Sequence, residues 1–411
     1  MALVTRNGIR LPDLTQPAAG RPVEQPEEIA RVILPLSFGA PAGAALGRYA
    51  SVLAGQRISK PVKGEGVPVL ASVSGVYAEE KTLSHPVYGE RACLVLDCMD
   101  LRRPAPEGEK DPAALTPDRI LQSARDCSVI DGLDRTPLAD KLAAWRGETD
   151  LLVGDGVETE PYSCAARAVL GESVEQVYGG LELAARAVGA EHFHLAVGPL
   201  PGNLYRSLAQ RLGGADRLFT VRSKYPTDAY TKKPRGKRLH RIGVQALLAL
   251  YRAAVYGEPH LTGVVTVAGD AVATPQNLRV PFGTPAETLW RYCGLSAEPT
   301  LRLFGDLMTG RPVESGEIPV WPGDACLLAL TDPPRPEPEV CVGCGQCIHA
   351  CHRGLAPVSI LRGADRGGVA AAARWHPEEC DGCGACAAVC PAGIELTQRI
   401  LTLKKEVEAH E

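Results

Sequence analysis

Cys341-Val342-Gly343-Cys344-Gly345-Gln346-Cys347-Ile348-His349-Ala350-Cys351 and Cys380-Asp381-Gly382-Cys383-Gly384-Ala385-Cys386-Ala387-Ala388-Val389-Cys390-Pro391 are two copies of one cysteine spacing, C-x2-C-x2-C-x3-C. Three thiolates spaced by two residues let a short loop wrap three corners of an iron–sulfur cubane. The fourth corner has to be filled from elsewhere because the loop cannot turn back tightly enough, and in two-cluster ferredoxins the other run supplies it. The spacing therefore predicts two [4Fe–4S] clusters. Cys341, Cys344, Cys347 and Cys390 would hold one, and Cys380, Cys383, Cys386 and Cys351 the other. This exchange would tie both runs into one compact unit.

Zinc and disulfides are the competing readings. Structural zinc wants four ligands in two separated pairs, and a doubled four-cysteine run has more thiols per loop than that needs. The amino terminus, MALVTRNGIRLPDLTQPAAG, lacks the apolar core of a secretory signal, and clustered cysteines in a non-secreted protein usually bind metal. Cys351 is followed by His352 instead of the proline that follows Cys390, so the turn and the potential of that cluster are expected to differ.

A chain of 411 residues accommodates several domains. Its net charge of −4 offers no global attraction for nucleic acid. The longest apolar stretch, Val244 to Val255, is interrupted by Gln245, Tyr251 and Arg252 and falls short of the about 20 residues a membrane span needs. A cytoplasmic protein is expected, peripheral to any membrane complex it joins.

The pattern along the chain predicts a multidomain α/β plus β protein. Residues 1–28 carry four prolines and no hydrophobic periodicity, and read as an extended or flexible lead-in. Residues 29–101 hold short β-rich runs (RVILPL, VPVLASVSGVYA, RACLVLDC) and predict a small β-sandwich domain. Arg102–Pro117 reads as a linker. Over 115–258, apolar runs at Asp150–Val153, Phe193–Val197 and Leu218–Val221 alternate with helical patterns, which argues for a parallel sheet flanked by helices. The clearest helix is expected to start at Ser173, with Gln176 completing the cap, and to end at Gly189. Residues 259–331 are strand-rich, Asp332–Glu339 is a second linker, and the cluster domain occupies 337–411, closing with a helical stretch at Leu396–Glu408.

Four segments, in order, resemble the RnfC family of electron-transfer proteins and cover nearly the whole chain from residue 30. The first holds Leu34-Pro35-Leu36-Ser37, Gly39 to Gly43, Gly55-Gln56, Ala71 to Gly75 and His85-Pro86, and is similar to the family's amino-terminal barrel-sandwich. The second, Gly156-Val157-Glu158-Thr159-Glu160-Pro161-Tyr162, resembles its G-A-E-C-E-P-Y turn. The third, Val265 to Val272 with the PFGTP stretch Pro281–Pro285, resembles its soluble-ligand-binding β-grasp (SLBB) domain, and the fourth is the doubled cysteine motif. The family shares its α/β domain with the NADH- and FMN-binding subunit of respiratory complex I. Glu158 and Glu160 are thereby implied as cofactor-binding residues.

The sequence departs from the family at the flavin loop. Where RnfC-type proteins carry G-x-G-G-A-G-F-P-T, this chain reads Ile130-Asp131-Gly132-Leu133-Asp134-Arg135-Thr136-Pro137-Leu138, and K-Y-P-Q-G-G-E is reduced to Lys224-Tyr225-Pro226-Thr227-Asp228-Ala229. Asp131 and Asp134 would repel a phosphate, and side chains in place of glycines would block backbone approach. Weak or no FMN binding and no direct NADH oxidation are expected. The degenerate loop is more similar to the branch that serves proline reductase (PrdC). The resemblance implies a relay from NADH, directly or through a flavoprotein, to a terminal reductase such as proline reductase. The alternatives are an RnfC subunit of a membrane ferredoxin–NAD oxidoreductase, a cobalamin reductase, and a non-enzymatic docking scaffold with structural clusters.

Other candidates are weighed against blander readings. The basic stretch Arg217–Arg241, with Lys224, Lys232, Lys233, Arg235, Lys237 and Arg238, is a partner site or a solvated loop. Lys63 lacks the turn of a lipoyl-carrier lysine. Cys93, Cys98, Cys127, Cys164, Cys293 and Cys326 show no ligand spacing and read as core thiols, Cys164 alone being a candidate redox thiol.

Overall fold

The computed structural model describes residues 3–5, 7–39, 42–60, 66–100, 108–158, 160–221, 224–226, 238–296, 299–331 and 339–409. Lys63 and most of the basic stretch, Lys232 to Lys237 included, lie outside the described residues, as do residues 102–107 of the first predicted linker and 332–338 of the second.

The lead-in expected to be extended or flexible takes up regular structure. Strands β1 (Leu3–Thr5) and β2 (Gly8–Arg10) form an antiparallel hairpin, followed by a short helix α1 (Gln16–Ala19). The cause is tertiary. Ile9 is buried with Tyr225, Ala350, Ala385 and Val389, Ile9 and Tyr225 exchange two backbone hydrogen bonds of 2.8 Å, and the Asn7 amide donates to the His349 carbonyl at 2.9 Å. A segment without its own periodicity thus finds its order on the cysteine-rich unit.

Strands β3 (Arg31–Pro35), β4 (Ser51–Val52), β5 (Ser74–His85) and β6 (Gly89–Asp100) form an antiparallel sheet in the order β3-β6-β5-β4. Strand alternation sends Leu94 and Leu96 into one core with Val32 and Leu34. It sends Cys93 and Val95 into another with Ile33 and Trp321, a residue from far along the chain. Both faces of the central strands are therefore covered.

The next region opens with α2 (Pro117–Asp126), whose Thr116 hydroxyl accepts from the Arg119 amide and whose Pro117 stands where a missing N–H costs nothing. A two-stranded ribbon, β7 (Ile130–Asp131) and β8 (Thr136–Pro137), leads into α3 (Leu138–Trp145). Then follow β9 (Leu151–Gly156), α4 (Ala165–Val188), β10 (His192–Val197), α5 (Gly202–Arg211), β11 (Leu218–Thr220), β12 (Leu239–Gly243) and α6 (Val244–Tyr256). The four strands β11-β10-β9-β12 are all parallel. Three of them fall at the predicted apolar runs. The fourth, Leu239-His240-Arg241-Ile242-Gly243, has no such run and is placed by pairing with β9. Helix α4 begins at Ala165, earlier than expected; Ser173 lies inside it in a non-helical conformation, and Gly189 ends it at φ 77°.

Strands β13 (Thr262–Ala268) and β14 (Gln276–Pro281), helix α7 (Ala286–Tyr292), and strands β15 (Leu301–Phe304), β16 (Arg311–Pro312) and β17 (Cys326–Leu330) build a mixed sheet in the order β14-β13-β17-β15-β16. Its one parallel pair is β13 with β17. Leu289 and Trp290 of α7 pack on Val265, Val267, Leu278 and Val280. The cysteine-rich unit contains α8 (Gln346–Ala350), α9 (Pro357–Ala373), α10 (Ala385–Ala388) and α11 (Leu396–Glu408), the last at its predicted bounds. Among the described residues no helix is long and apolar enough to cross a membrane.

Candidate iron–sulfur centre and the edge of the parallel sheet

Each cysteine run is a loop that turns at two glycines and then enters a short helix. Gly343 and Gly345 have φ of 70° and 71°, and Gly382 and Gly384 have φ of 74° and 79°. Only glycine adopts these left-handed values without strain, and the paired turns let consecutive thiols face one centre. Cys341, Cys344, Cys347 and Cys390 line a single cavity of about 230 Å³, closed by Val358, Ile394 and Leu396. The donor from the second run stands with three from the first. In the other group, the thiols of Cys380 and Cys386 each feel the charge of Cys351, and Cys383 that of Cys386. Two groups of four sulfur donors, the first around a small cavity with apolar walls, suit cubanes. Burial pushes the free Cys383 thiol up to about 12 and Cys386 up to about 11.

The two groups differ in exposure. Around the first run, Cys344 faces solvent beside Val340 (87% exposed) and Val342 (68%). The second run is packed inward: the Tyr225 hydroxyl donates to the Cys383 carbonyl at 2.5 Å, and a Cβ on Gly384 would meet the Met308 carbonyl at 3.0 Å. His352, which replaces the expected proline, bonds Asp381 through Nε2 at 2.5 Å and so bridges the two runs.

At the carboxyl end of β12, in the region where ligands of open parallel sheets bind, the chain sets one of its own carboxylates. Asp131 is fully buried, and its Oδ1 accepts from the Gly243 amide, at the start of α6, at 3.1 Å and from the Leu133 amide at 3.2 Å. A carboxylate thus takes the amide and the favourable end of the helix dipole that a phosphate would use. Its charge is matched: Lys141 Nζ lies 2.5 Å from Asp131 Oδ2 and 2.7 Å from Asp134 Oδ2. The two aspartates therefore do not stand as bare repelling charges, as the sequence suggested: both are paired with Lys141. Burial acts to raise the Asp134 carboxyl, but hydrogen bonds from Lys141 and Thr136 hold it below the ordinary range.

The rest of this loop has become a joint. A Cβ on Gly132 would lie 2.9 Å from Gly323 Cα, so the one surviving glycine serves close packing of two backbones. Arg135 Nη2 donates to the Gly323 carbonyl at 3.3 Å, reaches Asp324 at 3.5 Å, and its guanidinium lies over the Tyr88 ring.

Glu158 and Glu160 are both engaged within the protein. The Glu158 carboxylate accepts from the Ala166 and Arg167 amides at 2.9 and 3.1 Å, capping α4, and from the Ser163 hydroxyl. Glu160 accepts from the Met308 and Thr309 amides and the Thr309 hydroxyl. Burial pushes both carboxyls up, against these hydrogen bonds. Glu160 therefore ties the turn to the loop that touches the second cysteine run. Cys164 is fully buried beside Thr266 and Asn277, and burial raises its thiol to about 11, which removes it as a redox thiol. Lys141 has no signal in the sequence, since only folding brings it to Asp131, and the Lys224-Tyr225-Pro226 stretch gives no sign that Tyr225 reaches Cys383.

Residues 338–394 match the 4Fe-4S dicluster domain family. The C component of the ion-translocating oxidoreductase complex of Rhodobacter capsulatus is 28% identical over 379 residues, covering 84% of this chain and 72% of that protein. The C component of the Na+-translocating ferredoxin:NAD+ oxidoreductase complex of Acetobacterium woodii is 28% identical over 388 residues, covering 88% and 87%. The chain is a homologue of these RnfC proteins. This RnfC-type chain spans a smaller part, 43%, of the corresponding Vibrio cholerae protein, with 27% identity. Among solved structures, an NAD+-reducing [NiFe]-hydrogenase in the air-oxidized state aligns with a TM-score of 0.49 and 17% identity, over 73% of this chain and 64% of that one. The chain thus carries a 4Fe-4S dicluster domain and is similar to RnfC proteins over most of its length.

Proposed function

We propose that this chain is a relay in which two [4Fe–4S] clusters pass single electrons between a reduced donor and a terminal reductase, with NADH serving through a separate flavoprotein. The gathering of eight thiols into two groups of four, one turned inward and one toward solvent, carries the reading. Bound clusters would supply one-electron redox chemistry, with potentials that across such centres span about −700 to +450 mV. The protein's own residues hold the thiols, exclude water around Cys347, Cys351 and Cys386, and leave Cys344 at the surface, where a partner can approach. We assign Cys341, Cys344, Cys347 and Cys390 to one cluster and Cys351, Cys380, Cys383 and Cys386 to the other. We assign the amino-terminal sheet to the RnfC barrel-sandwich and the mixed sheet to the ligand-binding β-grasp; the order β14-β13-β17-β15-β16 supports the latter.

The acceptor we favour is a soluble reductase of the proline reductase kind. The motive is the flavin loop, whose polar atoms bind Gly243, Lys141 and Gly323 in place of a cofactor. The second reading, membership of a membrane ion-translocating complex, draws on the complexes to which the relatives belong. Anaerobic titration separates relay from dehydrogenase. The relay reading expects the visible cluster band to stay unchanged with NADH alone and to bleach promptly with dithionite. Bleaching by NADH alone would make the chain itself an NADH dehydrogenase.

A further inference from the structure

The two halves of the cysteine-rich unit are a sequence repeat. The offset that carries Cys341 onto Cys380 also carries Pro357 onto Leu396, the first residues of α9 and α11, and Arg362 onto Leu401. The two helices therefore approach their own cysteine runs in the same way, and side chains at equivalent positions can be compared directly. Leu401 packs on the second run, its Cδ1 3.2 Å from where a Cβ on Gly382 would lie. Arg362 instead directs its guanidinium to the first run, with Nη2 3.8 Å from Cys341 Sγ.

The other charges near each run do not cancel this difference. Near Arg362, Asp365 is paired with Arg399 at 2.9 Å, and Glu339 and Glu395 line the same surface hollow without an ion pair to Arg362 among the described residues. On the second run, the Lys404 ammonium donates to the Cys380 carbonyl at 3.0 Å, not to a sulfur. Asp381 acts on the same cysteine with the opposite charge. The sulfur contact there is neutral, Thr397 Oγ1 to Cys386 Sγ at 3.4 Å.

Reduction adds negative charge to a cluster and its thiolates, and a hydrogen-bonding cation on one sulfur stabilises the reduced form more than the oxidised one. Resting on the two-cluster reading above, we propose that Arg362 is a positioning residue that raises the reduction potential of the cluster bearing Cys341 and leaves the other unaffected. The electron is thereby drawn toward the solvent-facing cluster. The guanidinium is exposed, so water screens it, and the effect is about fivefold in the reduction equilibrium, or ~40 mV for one electron.

The test is a potentiometric titration of the full chain, purified anaerobically and followed by electron paramagnetic resonance. Wild type should show two one-electron waves. Arg362→Gln should lower one of them about fivefold and leave the other in place, Arg362→Glu should lower it about twice as far on the logarithmic scale, and Arg362→Lys should stay near wild type. Leu401→Arg, which places the cation at the equivalent site, should raise the second wave, and it carries the test if a charge-removing variant fails to assemble. Unmoved waves in all variants, or equal movement of both waves, would overturn the role of Arg362. Absence of two waves in wild type would instead remove the two-cluster reading.

Discussion

Replacing Lys141 with methionine tests whether the Ile130–Leu138 loop is clamped by its own charges. The ammonium sits 2.5 Å from the fully buried Asp131 and 2.7 Å from the half-exposed Asp134, with the Trp145 ring 4.9 Å away. Methionine keeps most of the volume and removes the charge, leaving Asp131 buried with only the Gly243 and Leu133 amides as partners. Breaking a buried pair from one side costs ~3–5 kcal/mol, and the two remaining amide bonds place this case near the lower end. The exposed Asp134 contact adds less than about 1 kcal/mol. Removing the stranded charge as well, in Asp131→Asn/Lys141→Met, should recover about 2 kcal/mol. The assay is urea unfolding of the four proteins of this cycle, followed by far-ultraviolet circular dichroism. A loss below about 1 kcal/mol in K141M, or additivity of the two substitutions within ~0.5 kcal/mol, would refute the buried clamp.

Three further outcomes are expected. Cys390→Ser should perturb the spectrum of the cluster otherwise held by the first run, and Cys351→Ser that of the second, with iron analysis of the parent giving about eight iron per chain; damage confined to the mutated run's own cluster would remove the exchange. Purified protein should carry no stoichiometric FMN, read by fluorescence of the acid extract, because Asp131 fills the amide site at α6; one flavin per chain would show that the loop opens. Burial lowers the His260 imidazole to about 4, so the unfolded chain takes up a proton that the folded chain refuses between about pH 6.5 and pH 4. Stability should fall as pH drops through that window, by up to ~3 kcal/mol, and a His260→Gln variant with an unchanged pH slope would show that another group is responsible.

Much of this architecture is legible in the amino-acid order because it rests on local rules. The cysteine spacing needs only neighbouring residues to wrap three corners of a cubane, the apolar runs Asp150–Val153 and Phe193–Val197 are short and bounded as buried strands must be, and Leu396–Glu408 repeats its apolar positions with helical period. The degeneracy of the Ile130–Leu138 loop is equally plain from its missing glycines. Its new role is not. Whether Asp131 repels a phosphate or replaces one depends on Lys141 and Gly243, and whether Arg135 is a stray side chain or a joint depends on Gly323 and Tyr88. Order in the first residues likewise waits on Tyr225 and the cysteine-rich unit, and strand Leu239–Gly243 waits on β9. Spacing along the chain determines which groups are available and what each short segment prefers. The neutralisation of a charge, the satisfaction of an amide and the burial of an isoleucine are set by contacts between segments far apart in sequence, and those exist only once the chain has folded.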